Sequence, residues 1–217
     1  MITAVVPMKG ESVRVSNKNL RDFNGFPLCY YILNELEAVS EIDEIIVNTD
    51  SNEIKKVVTS FNFKKTRLIE RPKFLLGHDV EMNQLLRHDI ALAKNECILQ
   101  CHATSPLIKR YTIESAISTF QTSGRDSLFS VNKFQSRFYN IKSEPINHDL
   151  NVLLKTQDLD PIFEENSGLY IFTKSSFSKN NRRIGSDPLM FELPYFESID
   201  IDTERDFEIA LKLIRIL

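Results

Sequence analysis

Four short polar segments of this chain carry side chains that could do chemistry together. Residues 7–19 (PMKGESVRVSNKN) place Lys9, Arg14 and Lys18 in one stretch, with Gly10, Ser12 and Asn19 among them. Ammonium and guanidinium groups around backbone N–H groups are what a triphosphate needs for charge neutralisation. A solvated basic loop has the same composition, and charge-rich loops are common. Residues 199–202 (IDID) set Asp200 and Asp202 two apart. On a strand, both carboxylates would point to one side while Ile199 and Ile201 face the core. Such a pair attracts a hard divalent cation such as Mg2+, which takes oxygen ligands and keeps waters and phosphate oxygens. Without a metal the two would repel, and one pKa would rise. An exposed acidic strand end, with Asp202 helping to cap the next helix, gives the same pattern.

The remaining two segments are weaker signals. In 101–107 (CHATSPL), His102, Thr104 and Ser105 can line a pocket with donors and acceptors. The G-x-S-x-G elbow of a serine hydrolase is absent. A lone histidine after a strand is more often a satisfied or exposed residue than a catalyst. Arg71, before Pro72, could meet a base edge or a carboxylate. Asp50 reads mainly as a turn or helix-cap residue. His78, His88, His102 and His148 show no HExxH or Cys/His spacing, so no zinc site is expected.

These segments need a scaffold, and the chain supplies an alternating one. Residues 2–6 form a β-branched apolar run stopped by Pro7, as in a strand buried on both faces. Pro27 opens a helix with Leu28, Ile32, Leu33, Leu36 and Val39 at helical spacing. A strand is expected over 44–48, then a helix over 52–61 capped by Ser51. A weaker strand follows at 66–69, and a helix carries Met82, Leu85, Leu86 and Ile90. Strands at 97–101 and 127–131 flank a helix marked by Ile113, Ala116, Ile117 and Phe120. Strands are expected again at 168–173 and 197–201. The last helix starts near Glu204, with Thr203 as N-cap and Asp206 completing a weak capping box. This rhythm predicts an α/β fold with a doubly wound, mostly parallel sheet. In such sheets ligands bind beyond the carboxyl ends of the strands. The rhythm breaks over 134–166, which reads as an excursion or a dimerisation arm. With no repeat or linker, the 217 residues read as one domain.

Composition narrows the function classes. The chain holds six glycines in 217 residues, against an average usage of about 7%. A glycine-rich phosphate cradle is therefore hard to build. A net charge of −3 gives no global field for nucleic acid. Cys29, Cys97 and Cys101 form no CxxC pair and read as reduced thiols. No signal segment is visible, and no apolar run nears the ~18 residues of a membrane span. A soluble cytoplasmic protein is expected.

The ensemble resembles the acylneuraminate-type cytidylyltransferases over nearly the whole chain. The resemblance rests on PMKGESVRVSNKN, on Gly25-Phe26-Pro27-Leu28, on IIVNTDS at 45–51 and on Arg71-Pro72. It continues through ATSPL at 103–107, Asn166-Ser167-Gly168-Leu169-Tyr170 and SIDIDTERDF at 198–207. It implies that CTP and an acidic 2-keto sugar such as sialic acid yield a CMP-sugar and pyrophosphate, with Mg2+ required. The anomeric hydroxyl would attack the α-phosphorus in line, with the protein positioning groups and stabilising charge. By resemblance Lys9, Gly10, Ser12, Lys18, Asn19 and Arg71 bind the nucleotide, and Lys9, Lys18 and Asp202 serve catalysis. Asp200 and Asp202 match the metal carboxylates, and His102 falls where many members carry Gln at the sugar site. The usual SKR of the first loop is Ser12-Val13-Arg14 here, with Arg14 able to replace the missing charge. The RRQ segment near the sugar is reduced to Lys155-Thr156-Gln157. Other sugar acids, including legionaminic, pseudaminic and 3-deoxy-octulosonic acid, stay open, as do another nucleotide and a silent homologue. The family's dimerising arm corresponds to 134–166, so a homodimer is implied.

Overall fold

The computed structural model describes residues 1–12, 14–77 and 79–216. The departure at Val13, together with His78, lies outside the described residues. In chain order come β1 (Ile2–Met8), a small ribbon of β2 (Asp22–Phe23) and β3 (Phe26–Pro27), α1 (Leu28–Ala38) and β4 (Ile42–Thr49). Then follow α2 (Asn52–Ser60), β5 (Thr66–Glu70), α3 (Met82–Leu92), β6 (Cys97–Cys101), α4 (Arg110–Ser123) and β7 (Ser127–Phe134). The chain ends with β8 (Ile162–Thr173), α5 (Lys174–Asn180), β9 (Pro188–Glu192) and α6 (Glu204–Leu213).

The central sheet has seven strands in the order β5-β4-β1-β6-β8-β7-β9. β1 runs parallel to both β4 and β6, and β4 runs parallel to β5. β8 is antiparallel to its neighbours β6 and β7, and β9 is parallel to β7. The sheet is doubly wound and mostly parallel. From β1 the chain moves outward to β4 and β5, then returns to lay β6 on the other side of β1. The strand order therefore reverses between β1 and β6, which is where a crevice opens.

The absence of alternation in the first strand has a direct cause. Ala4 and Val6 pack with α1 and α4, through Ile32, Leu33, Ile113 and Ala116. Val5 faces the opposite layer with Ile46, Ile98, Leu86 and Ile90. Both faces of these strands are covered, so apolar residues run on without gaps.

Several boundaries differ from the sequence reading. Pro7 lies inside β1 rather than ending it; β6 pairs with β1 only as far as Val5, and Pro7 lies beyond that point. β8 begins at 162 rather than 168 because it also pairs with the end of β7. Residues 197–201 are not a strand. Glu197 and Ser198 turn back on the Pro194 carbonyl, and Ile201 makes a single backbone bond to the Thr104 carbonyl, 2.9 Å. Ile199 and Ile201 are drawn inward as expected, but into a small core with Leu28, Leu107 and Phe207 beside α6. The edge strand on this side is β9, where Leu189 and Phe191 are half-buried and Pro188, Met190 and Glu192 exposed; with Met190 apolar on the outer face the alternation is hidden in the sequence. The capping box of α6 is present: Asp206 N donates to Thr203 Oγ1 at 3.3 Å, and Thr203 N to Asp206 Oδ2 at 2.7 Å. Residues 135–161 hold only a short 3-10 turn (Thr156–Asp158) and an isolated bridge between Tyr139 and Pro145. Among the described residues, no helix is long and apolar enough to cross a membrane.

Candidate active site

The loop leaving β1 is pressed onto the neighbouring β4–α2 turn. Gly10 N donates to Asp50 Oδ1 at 2.7 Å, and a Cβ on Gly10 would stand 2.8 Å from Ser51 Cβ. Only glycine allows that approach. Ser51 caps α2 by accepting from Ile54 N. Further on, Asn17 adopts a left-handed backbone (φ 48°) and starts a 3-10 turn, Lys18–Leu20. Asn19, buried, donates to the Lys9 carbonyl at 2.9 Å and so closes the loop on itself. Lys9 Nζ bonds the Gly77 carbonyl at 3.2 Å.

This loop carries its cations to the acidic segment across the crevice. Lys18 Nζ donates to the Ile201 carbonyl at 2.6 Å and lies 3.4 Å from Asp202 Oδ1. Arg14 Nη2 reaches the same oxygen at 2.8 Å. Lys18 is 11% exposed and Arg14 64%, so the inner cation is fixed and the outer one is free to swing. Asp200 differs. Its Oδ1 is buried and has no hydrogen-bond partner among the described residues. Burial pushes the Asp200 carboxyl above its ordinary range, and the neighbouring Asp202 charge adds to the effect.

That orphaned oxygen is the observation against which a metal can be tested. Among the described residues no group of three or more His, Cys, Asp or Glu could hold an ion. A cation here would have two carboxylates and would take its other ligands from water and substrate oxygens. That donor set suits Mg2+, which prefers oxygen and keeps several waters. Asp200 and Asp202 fit the group, although in an irregular segment and not on a strand.

Two hollows adjoin at Lys9 and Glu11. One of about 180 Å³ is lined by Ser12, Lys18, Asn19, His102 and Thr104. The other, about 520 Å³, is lined by Gly10, Asn17, Asp50, Ser51 and Gly77. Lys9, Gly10, Ser12, Lys18, Asn19, His102 and Thr104 are thus brought together. Arg71 is not free to meet a ligand as expected. It is buried, and its Nη2 donates to the carbonyls of Met8 (3.0 Å) and Asn48 (3.2 Å), its Nε to Asn48 Oδ1 (3.0 Å). Its Nη1 lies 3.7 Å from Asp50 Oδ2, so Arg71 ties the ends of β1 and β4 and steadies Asp50. Ser105 is also buried, in the turn below His102, and lines neither hollow. Gln157 sits exposed on the 3-10 turn of the excursion, outside both hollows.

Sequence reasoning missed Asp50, Gln100 and Arg183. Asp50 carried a signal, its place just after a strand; its partner Gly10 is forty positions away. Gln100 Nε2 and His102 Nε2 are 2.9 Å apart, and Arg183 Nη1 donates to Gln100 Oε1 at 3.0 Å. Burial lowers His102 to about 4, with the Arg183 and Lys18 charges pushing the same way. It is neutral at pH 7.

Comparison with known proteins places the chain in a family. A family model described as cytidylyltransferase matches residues 3–216. The chain is 25% identical over 218 residues to an N-acylneuraminate cytidylyltransferase of Oncorhynchus mykiss, covering 96% of this chain and 49% of that protein. It therefore spans about half the length of that relative. It is 24% identical over 223 residues to a pseudaminic acid cytidylyltransferase of Campylobacter jejuni, covering 98% of this chain and 95% of the other. In fold it is similar to a CMP:2-keto-3-deoxy-manno-octonic acid synthetase complexed with CTP. The TM-score is 0.71 at 14% identity, over 99% of this chain and 98% of that one.

Proposed function

Because the chain belongs to the cytidylyltransferase family, and is thus a nucleotidyltransferase, we propose that it transfers CMP from CTP to an acidic 2-keto sugar of the nonulosonate class, releasing pyrophosphate. One observation carries the reading: two cations of the first loop converge on Asp202 Oδ1, next to Asp200, whose buried Oδ1 has no hydrogen-bond partner among the described residues. Charges of both signs are held ready at a crevice, and a triphosphate with its counter-ion would replace these internal contacts with its own.

In this reading CTP lies across the two hollows. The Ser12 hydroxyl and the Lys9 and Lys18 cations, which line the smaller hollow, take its phosphates, and Arg14, which lines neither hollow, would join them by leaving Asp202. Gly10, Asn19 and Asp50 bound the nucleoside side, with Arg71 holding Asp50 in place. Asp200 and Asp202 would hold Mg2+, which when bound supplies charge neutralisation to phosphate oxygens. Lys18 sits deep enough to keep one orientation, so it can stabilise charge developing on the α-phosphoryl without reorganising. Asp202 would accept the proton of the sugar hydroxyl once substrate has drawn the exposed Arg14 away, with Lys18 staying on the Ile201 carbonyl. His102 and Thr104 meet the sugar. We read the Gln157 contact as one made across a dimer, with the excursion of one copy reaching the other. Three free thiols fit a reducing compartment such as the cytoplasm.

The test is pyrophosphate release with CTP and Mg2+ fixed and the acceptor varied over N-acetylneuraminic, pseudaminic, legionaminic and 3-deoxy-octulosonic acids. Turnover with a nine-carbon acid is expected. Turnover with the octulosonate alone would move the chain to the neighbouring substrate class, and silence across the panel from folded protein would overturn the reading.

A further inference from the structure

We propose that Arg183, acting through Gln100, locks His102 into its Nδ1–H tautomer, so that the sugar pocket offers a neutral N–H donor and selects a substrate oxygen that accepts. The inference rests on the reading of this hollow as the sugar-acid site.

Donors and acceptors along the relay fix the tautomer. A guanidinium can only donate, so the Gln100 oxygen must be the atom that faces Arg183, at 3.0 Å. The amide nitrogen is then the atom turned to His102 Nε2, at 2.9 Å, and it too can only donate. His102 Nε2 must therefore accept. A neutral imidazole with a bare Nε2 carries its proton on Nδ1. The usual ambiguity of amide orientation and histidine tautomer is removed because the chain starts from a group with no acceptor.

Arg183 is itself held from several sides. Its guanidinium carbon lies 3.5 Å from the centre of the Tyr170 ring, and its Nη2 donates to Tyr170 OH at 2.8 Å. Tyr170 OH donates in turn to Glu165, which also pairs with Arg183 at 3.4 Å. Gln100 is fully buried and lies opposite Tyr170 in the β6–β8 ladder, so the relay is built into the sheet. At its other end His102 lines the hollow beside Lys18 and Thr104. Its Nδ1 has no partner among the described residues, and it is not among the buried polar atoms left without one. Burial and the Arg183 charge keep the ring neutral, which the relay requires.

Arg183 is on this account a positioning residue. The test is nitrogen-15 NMR of the histidine rings in the whole protein, with the His102 signals identified by their loss in His102→Gln. The wild type is expected to show a protonated Nδ1 and a bare Nε2. In Gln100→Glu the carboxylate can only accept, so Nε2 is expected to gain a proton while Arg183 keeps its partner. In Arg183→Met the amide is released, and a mixture of tautomers is expected. KM for the sugar acid should rise about tenfold in both variants, the size of one charge-assisted hydrogen bond, with KM for CTP unchanged. A protonated Nε2 in the wild type overturns the proposal, and so does an Nε2 that stays bare in Gln100→Glu. If no sugar acid turns over, the functional reading fails, while the ring signals still decide the tautomer.

Discussion

Two carboxylates two residues apart have been given opposite treatment. Asp202 is already neutralised, by Arg14 at 2.8 Å and Lys18 at 3.4 Å. Asp200 keeps a buried oxygen with nothing to bind and a carboxyl pushed up by burial. A group left in that state costs stability, about 1–3 kcal/mol for an unsatisfied buried atom. Such a cost is what a ligand-binding residue shows when its ligand is away. Asp200→Asn removes the buried charge and is expected to raise the melting temperature of the metal-free protein by about 2–12 °C, since 1 kcal/mol moves a domain of this size by about 2–4 °C. The same change should abolish pyrophosphate release. Calorimetry in chelator, run beside the activity assay, checks both halves; an Asp200→Asn variant that melts lower than wild type would show that the carboxylate is structural.

The elements position these residues by packing that the sequence disclosed unevenly. β1, β4 and β6 were legible because burial on both faces leaves uninterrupted apolar runs, and α6 because Thr203 and Asp206 stand at capping spacing. The segment 197–201 was misread since Ile199 and Ile201 are buried for a different reason, in the core under α6. The cations of the first loop showed in the charge pattern; Arg183 and Gln100 did not, because their meeting depends on a β6–β8 pairing between residues far apart in the chain. Gly10 was legible as part of the basic loop but not for its role, which is a close approach to Ser51. Gly10→Ala would set a Cβ 2.8 Å from Ser51 Cβ and push the loop off α2. Overpacking of this kind costs about 1–3 kcal/mol, and KM for CTP should rise several-fold with that for the sugar unmoved. Equal changes in both constants would contradict it. A second packing device is Glu44 of β4, which accepts from Thr3 Oγ1 (2.7 Å), Arg67 Nε (2.8 Å) and Lys94 N (2.7 Å). Burial alone would raise its carboxyl, yet these donors outweigh burial and hold it below the ordinary range. A folded-state pKa below the unfolded one stabilises above the unfolded value and is lost as pH falls through the folded one. Glu44→Gln should thus be less stable at pH 7, by about 1–3 kcal/mol. Below the ordinary Glu range of about 4.3, acid should cost the variant less stability than the wild type. Parallel acid melts would refute this.

At the scale of the whole molecule, the excursion between β7 and β8 is the part the single chain does not explain. Ile141 is fully exposed, Leu153 is 91% exposed and Leu150 67%, on a stretch whose only regular structure is one 3-10 turn. Burying an aliphatic side chain of this size is worth about 1.5–3 kcal/mol, so leaving several in water on a stretch with little regular structure favours association. The excursion also carries Gln157, which its own chain keeps outside both hollows. A dimer formed through this stretch would cover the apolar residues and bring the sugar side of the site under the influence of a second copy. The proposed nucleotide side needs no such help, because Gly10 and Asp50 hold each other and Lys9 and Lys18 rest on the Gly77 and Ile201 carbonyls, all within one chain. The double variant Ile141→Asp, Leu153→Asp places charge where the contact is expected and touches no buried residue. In sedimentation velocity the wild type should run as a dimer and the variant as a monomer with an unchanged melting curve. CTP binding by calorimetry should survive in the monomer while KM for the sugar acid rises at least tenfold. A monomeric wild type, or a monomeric variant with full activity, would refute the dimer and return the whole site to one chain.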